Sequence, residues 1–258
     1  MSQANLKPTG PHPWFQVQPR SAARIRLFCF PYAGGSSAIF RQWSRDLPRE
    51  IELVPALLPG RELKLREPPY THIEPLIEAL AREITPLLDK PFAFFGHSMG
   101  AIISFELARR LRTEHYVEPS HLVVSGRRSP RVPVRDPYIH NLPDPEFFAE
   151  LEEMNGTPRE VLEHQELMEI LSPMLRADFE LCYNYDYIPG EPLQCPITVL
   201  GGLEDKTTPR HELEAWCDET TGNCQLHMLK GDHFFINQQH ATILPIIKKA
   251  LVAHIQPF

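Results

Sequence analysis

The sequence predicts a single α/β domain with a mostly parallel central sheet and helices on both of its faces. Two observations lead to this fold class. Short apolar runs of strand length alternate along the chain with amphipathic patterns of helical period. Strands that alternate with helices pair in parallel, because each helix carries the chain back across the sheet. A third observation is an interruption: between Gly126 and Glu191 helical patterns follow one another with no strand candidate between them.

Six apolar runs are the strand candidates. The first, residues 25–30, is apolar at almost every position and ends at Pro31, which is typical of a strand buried on both faces. The second contains Pro55, so we expect its paired part to be shorter than the run itself. The six runs, in chain order, are 25–30, 51–58, 92–95, 121–125, 196–200 and 225–229.

Helical patterns occupy the intervals between these strands. Apolar residues recur at helical spacing in each of them. Ser36 or Ser37 is the expected N-cap residue of the first helix. The patterns that belong to the alternating part of the chain are 36–47, 73–88, 101–111 and 241–254. The last of these is expected to close the sheet.

The interruption contains three more helical patterns, at 145–154, 158–164 and 167–187. An all-helical insertion of this size in an α/β frame is typical of a lid over the carboxyl edge of the sheet. The expected organisation is therefore an N-terminal extension (1–23), a core formed by 24–126 and 191–258, and a helical lid (127–190) inserted into that core.

Composition and charge exclude several classes of protein. The chain has 26 basic and 33 acidic residues in 258, a formal net charge of −7, and no long basic run. This argues against a nucleic-acid-binding protein. No apolar stretch approaches the roughly 20 residues of a membrane helix, and the polar, proline-rich start has no signal-peptide core. We expect a cytoplasmic protein without a membrane or nucleic-acid partner.

The five cysteines are scattered and odd in number, without a CxxC pair. This predicts no disulfide framework. Cys29 and Cys195 lie in or beside apolar runs, so we expect buried thiols there. No HExxH motif, Cys–His cluster or carboxylate triplet has ligand spacing, which predicts no metal and no cofactor. No long exposed apolar helix is apparent, which favours a monomer.

The strongest local signal is the pentapeptide Gly96-His97-Ser98-Met99-Gly100. In a G-x-S-x-G motif, two glycines allow a tight strand-to-helix turn that projects the serine hydroxyl above the edge of the sheet. The expected context is an apolar strand before the motif and a helix after it, and the runs 92–95 and 101–111 provide both. The motif therefore predicts Ser98 as a catalytic nucleophile.

A serine hydroxyl needs a base and an acid that orients this base. In this kind of domain the chain order is Ser, then Asp or Glu, then His. His233 lies between the last predicted strand and the last helix, where it is expected to reach Ser98. Asp205, in the loop after the 196–200 run, is the predicted acid. Its competitors are Glu204, displaced by one position, and Asp232, adjacent to the base.

Acyl transfer also requires hydrogen-bond donors for an oxyanion. One predicted donor is the backbone amide of Met99. The second is expected from the loop 31–35, where two glycines permit close approach, and Ala33 is the predicted donor. A plain strand–helix turn is the alternative explanation of those glycines.

His97 is expected to pack or bond structurally rather than to take part in the chemistry.

With these residues identified, the sequence resembles the type II thioesterases that accompany polyketide and nonribosomal peptide synthetases. The matching blocks are FPYAGGS (30–36), LPGRE (58–62), GHSMGA (96–101), Gly201-Gly202 with Asp205, and GDHFF (231–235). They follow the family order over nearly the whole chain, and no catalytic position departs from the pattern.

The resemblance implies an α/β-hydrolase fold and hydrolysis of acyl thioesters on the phosphopantetheine arm of acyl or peptidyl carrier proteins. In that family the reaction removes stalled or misprimed acyl groups. By matching position, the resemblance makes Ser98 the nucleophile, His233 the base and Asp205 its orienting acid. The amides of Met99 and Ala33 would form the oxyanion hole.

Two features of the predicted lid remain open to two interpretations each. Its apolar stripe would line an acyl chamber in a few places and otherwise pack the lid onto the sheet; its members are Phe147, Phe148, Leu151, Met154, Leu171, Met174, Leu175, Phe179 and Tyr183. Its basic residues would meet an acidic carrier or the phosphate of the arm, or would form a solvated face; they are Arg127, Arg128, Arg131 and Arg135.

Two other functions compete with an editing thioesterase. One is a medium-chain fatty acyl thioesterase or small-ester esterase that uses the same triad. The other is a catalytically silent binding module, against which the intact set of Ser98, Asp205 and His233 argues.

Overall fold

The computed structural model describes residues 14–133 and 138–255. Within these residues a parallel sheet has the strand order β2-β1-β3-β4-β5-β6. The predicted α/β fold class is confirmed. The strands are β1 (Ile25–Phe30), β2 (Ile51–Pro55), β3 (Phe92–His97), β4 (His121–Ser125), β5 (Ile197–Gly202) and β6 (Cys224–Leu229).

Helices cover both faces of this sheet. They are α1 (Trp43–Asp46), α2 (Ile73–Ile84), α3 (Met99–His115), α4 (Asp144–Glu153), α5 (Arg159–Leu162), α6 (Gln165–Tyr183), α7 (Arg210–Glu214), α8 (His240–Ala250) and α9 (Val252–Ile255). Among the described residues no helix is long and apolar enough to span a bilayer.

The alternation of side chains along β1 separates two buried clusters. Phe28 and Phe30 lie in the cluster that includes the apolar faces of α2 and α3. Leu27 and Cys29 point to the opposite face, where they join Trp43 of α1 and the buried residues of α8. Because neighbouring residues of a strand face opposite sides, a run that is apolar at every position forms a strand buried on both faces. The two sides of β1 are therefore both apolar, and helices pack on both of them.

The predicted helix at 36–47 is wrong as a single element. The chain forms a short 3₁₀ helix, Ser37–Phe40, followed by α1. Ser36 caps the 3₁₀ helix, as its hydroxyl accepts a hydrogen bond from the Ala38 amide at 3.3 Å. The rings of Phe40 and Trp43 both pack edge-on against Phe95, with centroid distances of 5.9 and 4.8 Å. Packing against the sheet, rather than helical propensity, determines this part of the backbone.

Between β4 and β5 the described residues form the helices α4, α5 and α6, close to the predicted bounds. We call residues 127–190 the helical segment. The prediction that its apolar stripe packs mainly onto the sheet is wrong. A separate buried cluster forms inside the segment, and its members are Ile139, Phe147, Leu151, Met168, Met174 and Leu175. Phe148, Met154, Leu171 and Phe179 are partly buried against that cluster, whereas Tyr183 is exposed.

The expectation that the cysteines form no disulfide framework did not anticipate the one disulfide found among the described residues. Cys217 and Cys224 form a disulfide between the short 3₁₀ helix Ala215–Glu219 and the first residue of β6. The two cysteines are seven residues apart, and the fold brings the 3₁₀ helix next to the start of β6, a contact that no CxxC spacing indicates. Cys29, Cys182 and Cys195 are buried and outside the disulfide, and buried thiols were expected at Cys29 and Cys195.

Candidate active site

Ser98 occupies a sharp turn between the end of β3 and the start of α3. Its φ of +53° and ψ of −114° are a strained backbone conformation. The flanking glycines explain why the turn is possible. A Cβ on Gly96 would lie 2.0 Å from the Gly100 carbonyl oxygen, and a Cβ on Gly100 would lie 2.1 Å from the Phe30 carbonyl oxygen. The pentapeptide therefore forms the tight strand-to-helix turn that the motif predicts.

The strand order explains the position of this turn, which we call the elbow, in the sheet. From β1 the chain crosses to β2 on one side, while β3 and the later strands lie on the other side. Ligands of open parallel sheets bind at such a switch point, beyond the carboxyl ends of the strands. Ser98 follows β3, and the loop with Ala33 follows β1, so both lie at this point.

His233 lies between Ser98 and Asp205. Its Nε2 is 3.0 Å from the Ser98 hydroxyl oxygen, and its Nδ1 is 2.8 Å from Asp205 Oδ2. The two competing carboxylates point elsewhere. Glu204 accepts a hydrogen bond from the Gly231 amide, while Asp232 accepts from the Phe234 amide at 2.9 Å and from Asn155 Nδ2 at 3.1 Å. The carboxylate at the histidine is therefore Asp205.

Asp205 is buried in a dense set of donors. Besides His233, Thr207 donates its amide at 2.8 Å and its hydroxyl at 2.7 Å, and the Thr208 hydroxyl donates at 2.6 Å. Burial by itself raises the pKa of this carboxyl group, but the hydrogen bond and charge of His233 and the two threonine hydroxyls outweigh it. The net pKa lies below its usual value of 3.8, so Asp205 is ionised at neutral pH.

His97 has the structural role expected of it. Its buried ring bonds the Ser125 hydroxyl through Nδ1 at 2.8 Å and the His233 carbonyl through Nε2 at 2.9 Å. Burial, together with the nearby charge of His233, lowers the pKa of His97 from 6.5 to about 3. The ring is therefore neutral at neutral pH.

The two predicted oxyanion donors both lie at the carboxyl edge of the sheet, Met99 after β3 and Ala33 after β1. Met99 is the first residue of α3, so its amide belongs to the helix start, where amides have no partner within the helix. Ala33 lies in a turn that the Gly35 amide closes by donating to the Tyr32 carbonyl at 2.8 Å. Gly34 has a φ of +77°, which a type II turn requires at this position. Among the described residues, the Ala33 amide donates to no protein group.

Sequence reasoning missed several residues that support this geometry. Thr207 and Thr208 lie two and three residues after Asp205, and an Asp at this spacing from two threonines just after a strand is a recognisable signal for side-chain-to-backbone turns. Ser125 ends β4 and gave no such signal. Arg61 and Asp178, which bind the loop after β1, are more than a hundred residues apart in the sequence.

Neither interpretation of the basic residues, a face for an acidic carrier or phosphate or a solvated face, holds for Arg127 and Arg128. Both are buried, with 8% of their surface exposed, and Arg128 Nε lies 3.6 Å from a Glu212 carboxylate oxygen. Arg131 forms an ion pair with Glu219, with Nε to Oε1 at 2.7 Å. Arg135 lies outside the described residues.

Comparison with known proteins gives the family. A family profile described as "Thioesterase domain" matches residues 25–251. The chain belongs to the thioesterase domain family. The protein is thus a hydrolase of thioesters, serine-based in this fold, as predicted.

This thioesterase is similar both to a protein of peptide antibiotic biosynthesis and to a thioesterase of fatty acid synthesis. It is 46% identical to the gramicidin S biosynthesis protein GrsT of Aneurinibacillus migulanus over 239 residues, which are 92% of this chain and 93% of the relative. It is 35% identical to the medium-chain S-acyl fatty acid synthase thioesterase of Homo sapiens over 223 residues, 83% of this chain and 82% of that one.

Among solved structures it is similar to the type II thioesterase BorB from the borrelidin biosynthetic cluster. The TM-score is 0.86 at 32% identity, over 94% of this chain and 100% of the other. The predicted resemblance to type II thioesterases is confirmed.

Proposed function

We propose that this thioesterase is an editing enzyme that hydrolyses stalled or aberrant acyl groups from the phosphopantetheine arm of acyl or peptidyl carrier proteins. The observation that carries the proposal is the hydrogen-bonded chain Ser98–His233–Asp205, with Nε2 to Oγ at 3.0 Å and Nδ1 to Oδ2 at 2.8 Å. It supplies a nucleophile, a base and an orienting carboxylate at the carboxyl edge of the sheet.

The first half of the reaction forms an acyl-enzyme. The Ser98 oxygen attacks the thioester carbonyl carbon while His233 Nε2 takes the hydroxyl proton. The amides of Met99 and Ala33 donate hydrogen bonds to the oxyanion that develops on the carbonyl oxygen. The carbon–sulfur bond then breaks, and His233 returns the proton to the sulfur of the departing phosphopantetheine thiol.

The second half regenerates the enzyme. Water attacks the ester carbon of the acyl-Ser98 group, and His233 again accepts the proton. The bond to the serine oxygen breaks, this oxygen takes the proton back, and the free acid leaves. Throughout, ionised Asp205 accepts a hydrogen bond from Nδ1 of His233 and stabilises the imidazolium that forms twice in each cycle.

The carrier-borne substrate is supported by the relatives. GrsT is named for gramicidin S biosynthesis, and BorB is a type II thioesterase of the borrelidin cluster. We propose that residues 127–190 act as a lid, whose partly buried apolar side chains Phe148, Met154, Leu171 and Phe179 receive the acyl group. A monomeric, cytoplasmic enzyme stays a prediction.

A second candidate is a medium-chain fatty acyl thioesterase, which the 35% identity to the human enzyme favours. The same triad would serve it, so the choice of thiol partner discriminates the two. The fatty acyl enzyme is expected to recognise mainly the acyl chain, whereas the editing enzyme is expected to recognise the carrier protein as well.

A paired hydrolysis assay tests the proposal. One short acyl group is presented on a carrier protein and on coenzyme A, and kcat/KM is compared, with Ser98→Ala as the control for enzymatic turnover. We expect a strong preference for the carrier. Equal rates for both thioesters, or a preference for long acyl chains on coenzyme A, would reject the editing function in favour of the second candidate.

A further inference from the structure

A buried ion pair joins the helical segment to the turn that contains Ala33. Arg61 follows β2, and Asp178 lies on α6. Their side chains meet in bidentate geometry, with Nη1 to Oδ2 at 2.8 Å and Nη2 to Oδ1 at 2.7 Å. Only 4% of Arg61 and 3% of Asp178 is exposed. Removing two charges from water is costly unless further hydrogen bonds satisfy them, so their other partners indicate what the pair holds in place.

Those other partners are backbone groups of the turn. Asp178 Oδ2 accepts a hydrogen bond from the Gly34 amide at 2.8 Å, and Arg61 Nη1 donates to the Gly35 carbonyl at 2.9 Å. Leu175, one helical turn before Asp178 on α6, packs on Gly34 so closely that a Cβ there would approach its Cδ2 to 2.5 Å. The ion pair and α6 thus fix the peptide group before Gly34 and the peptide group after Gly35.

The neighbour of Arg61 holds the next part of the same loop. Glu62 accepts hydrogen bonds from the Ser37 amide at 3.0 Å and from the Ser37 hydroxyl at 2.7 Å. It does so with a φ of +49°, a conformation that a glutamate adopts only when its surroundings enforce it. Two successive residues of the LPGRE block therefore bind the loop after β1, Arg61 at Gly35 and Glu62 at Ser37.

We propose that Arg61 and Asp178 are positioning residues for the oxyanion hole. They fix the turn so that the Ala33 amide points at the carbonyl oxygen of the substrate, and the hole is complete only while α6 is docked on this turn. The inference rests on the proposed catalytic role of the Ala33 amide. Oxyanion donors act through a preorganised position, and the amide of Ala33 precedes by one peptide group the amide that Asp178 binds.

The first test replaces Asp178 by Asn, which keeps the shape and removes the charge. We expect kcat for a short acyl thioester to fall about 10- to 100-fold with little change in KM, because the loss occurs in the transition state. Glu52→Gln is the matched control. Glu52 forms a buried ion pair with Arg26 on adjacent strands β1 and β2, where it contacts no residue of the site. We expect that variant to lose stability and to keep its kcat.

The decisive test is a double-mutant cycle with Ala33→Pro. Proline lacks an amide hydrogen and is favoured at the second position of a type II turn, so this change deletes the donor while it preserves the turn. We expect Ala33→Pro to lower kcat about 10²- to 10³-fold. In that background Asp178→Asn should have little further effect on kcat, because the group through which it acts is already gone.

Three results would overturn the inference. They are an unchanged kcat in Asp178→Asn, a loss that is equally large with and without the Ala33→Pro change, and a loss that appears in KM instead of kcat. If Asp178→Asn does not fold, the double variant Arg61→Met with Asp178→Leu replaces it, since apolar residues of similar volume can substitute for a buried ion pair. It is expected to fold and to show the same loss in kcat.

The proposed function is tested separately, with the Ser98→Ala variant. If Ser98→Ala, assayed in parallel, kept its activity, the assignment of the nucleophile would be rejected, whatever the Asp178 variants show. If Ser98→Ala were inactive and the cycle additive, the triad would stand, and Arg61 and Asp178 would be purely structural.

Discussion

Nε2 of His97 donates a hydrogen bond to the backbone carbonyl of His233 at 2.9 Å. Because a carbonyl oxygen only accepts, this nitrogen carries the proton, and Nδ1 of the neutral ring accepts from the Ser125 hydroxyl at 2.8 Å. Two consecutive residues of the elbow therefore hold the same histidine. His97 binds its backbone, and Ser98 contacts its ring.

The buried ring of His97 makes stability depend on pH. Its pKa is lowered to about 3 in the folded protein, so between pH 6.5 and 3 the unfolded chain binds one more proton than the folded one. Stability is therefore complete above pH 6.5 and is lost as the pH falls, by about 1.4 kcal/mol per pH unit from this group. We expect His97→Gln to remove that contribution to the slope between pH 6 and 4, as measured by urea unfolding.

The control for this slope is His211→Gln, since the His211 side chain is 77% exposed. That variant should follow the wild-type dependence on pH. A His97→Gln protein with the wild-type slope would show that His97 does not titrate on unfolding in the way described.

Removal of the nucleophile gives the second prediction. Ser98→Ala should lower kcat by about 10⁴- to 10⁶-fold, because the members of a triad act as a unit. Alanine lacks only a hydroxyl group at this position, so the melting temperature should stay close to that of the wild type. Steady-state kinetics and thermal unfolding on one preparation check both statements. A variant that retained most of its activity would assign the chemistry to another residue.

Asp205→Asn tests the orienting carboxylate. An asparagine cannot hold the Nδ1 proton in the same way, so we expect kcat to fall by about 10⁴-fold. The pKa of Asp205 is depressed in the folded state, so its stabilising contribution is present above the usual value of 3.8 and is lost as the pH falls below it. The difference in unfolding free energy between wild type and variant should therefore be larger at pH 7 than at pH 3. A difference that grew on acidification would contradict the assignment.

The glycines of the elbow give the fourth prediction. Gly96→Ala would place a methyl group 2.0 Å from the Gly100 carbonyl oxygen, which belongs to the rigid start of α3. We expect the free energy of unfolding to fall by about 4–5 kcal/mol, which is at the upper end of the range for single substitutions. Gly190→Ala is the matched control, because its nearest neighbour at 2.8 Å is Nη2 of Arg109, the end of a flexible side chain. Denaturant midpoints for the two variants should differ widely.

The sequence was informative wherever a local pattern was sufficient. The apolar run before the elbow and the pentapeptide itself predict β3, Ser98 and the clash at both glycines. The block GDHFF places His233 in a loop after the last strand, where the structure has it.

Features that depend on contacts between distant residues were missed. Asp178 is one of three charged residues close together on α6, and nothing nearby in the sequence indicates that its partners are Gly34 and Arg61. The Cys217–Cys224 disulfide depends on the approach of two elements after folding, and the buried positions of Arg127 and Arg128 depend on their contacts with later parts of the chain. Such features follow from the tertiary fold rather than from local propensity.

The separate hydrophobic cluster inside the helical segment, around Phe147, Leu151 and Met174, has a consequence for how such enzymes diverge. It shares no residue with the two clusters on the sheet. We expect substitutions there to change the packing inside the helical segment without requiring the sheet to be repacked. Such substitutions are expected to leave α6 in place as long as the segment retains the Asp178 carboxylate, which binds the Gly34 amide, and Leu181 and Cys182, which belong to a cluster on the sheet.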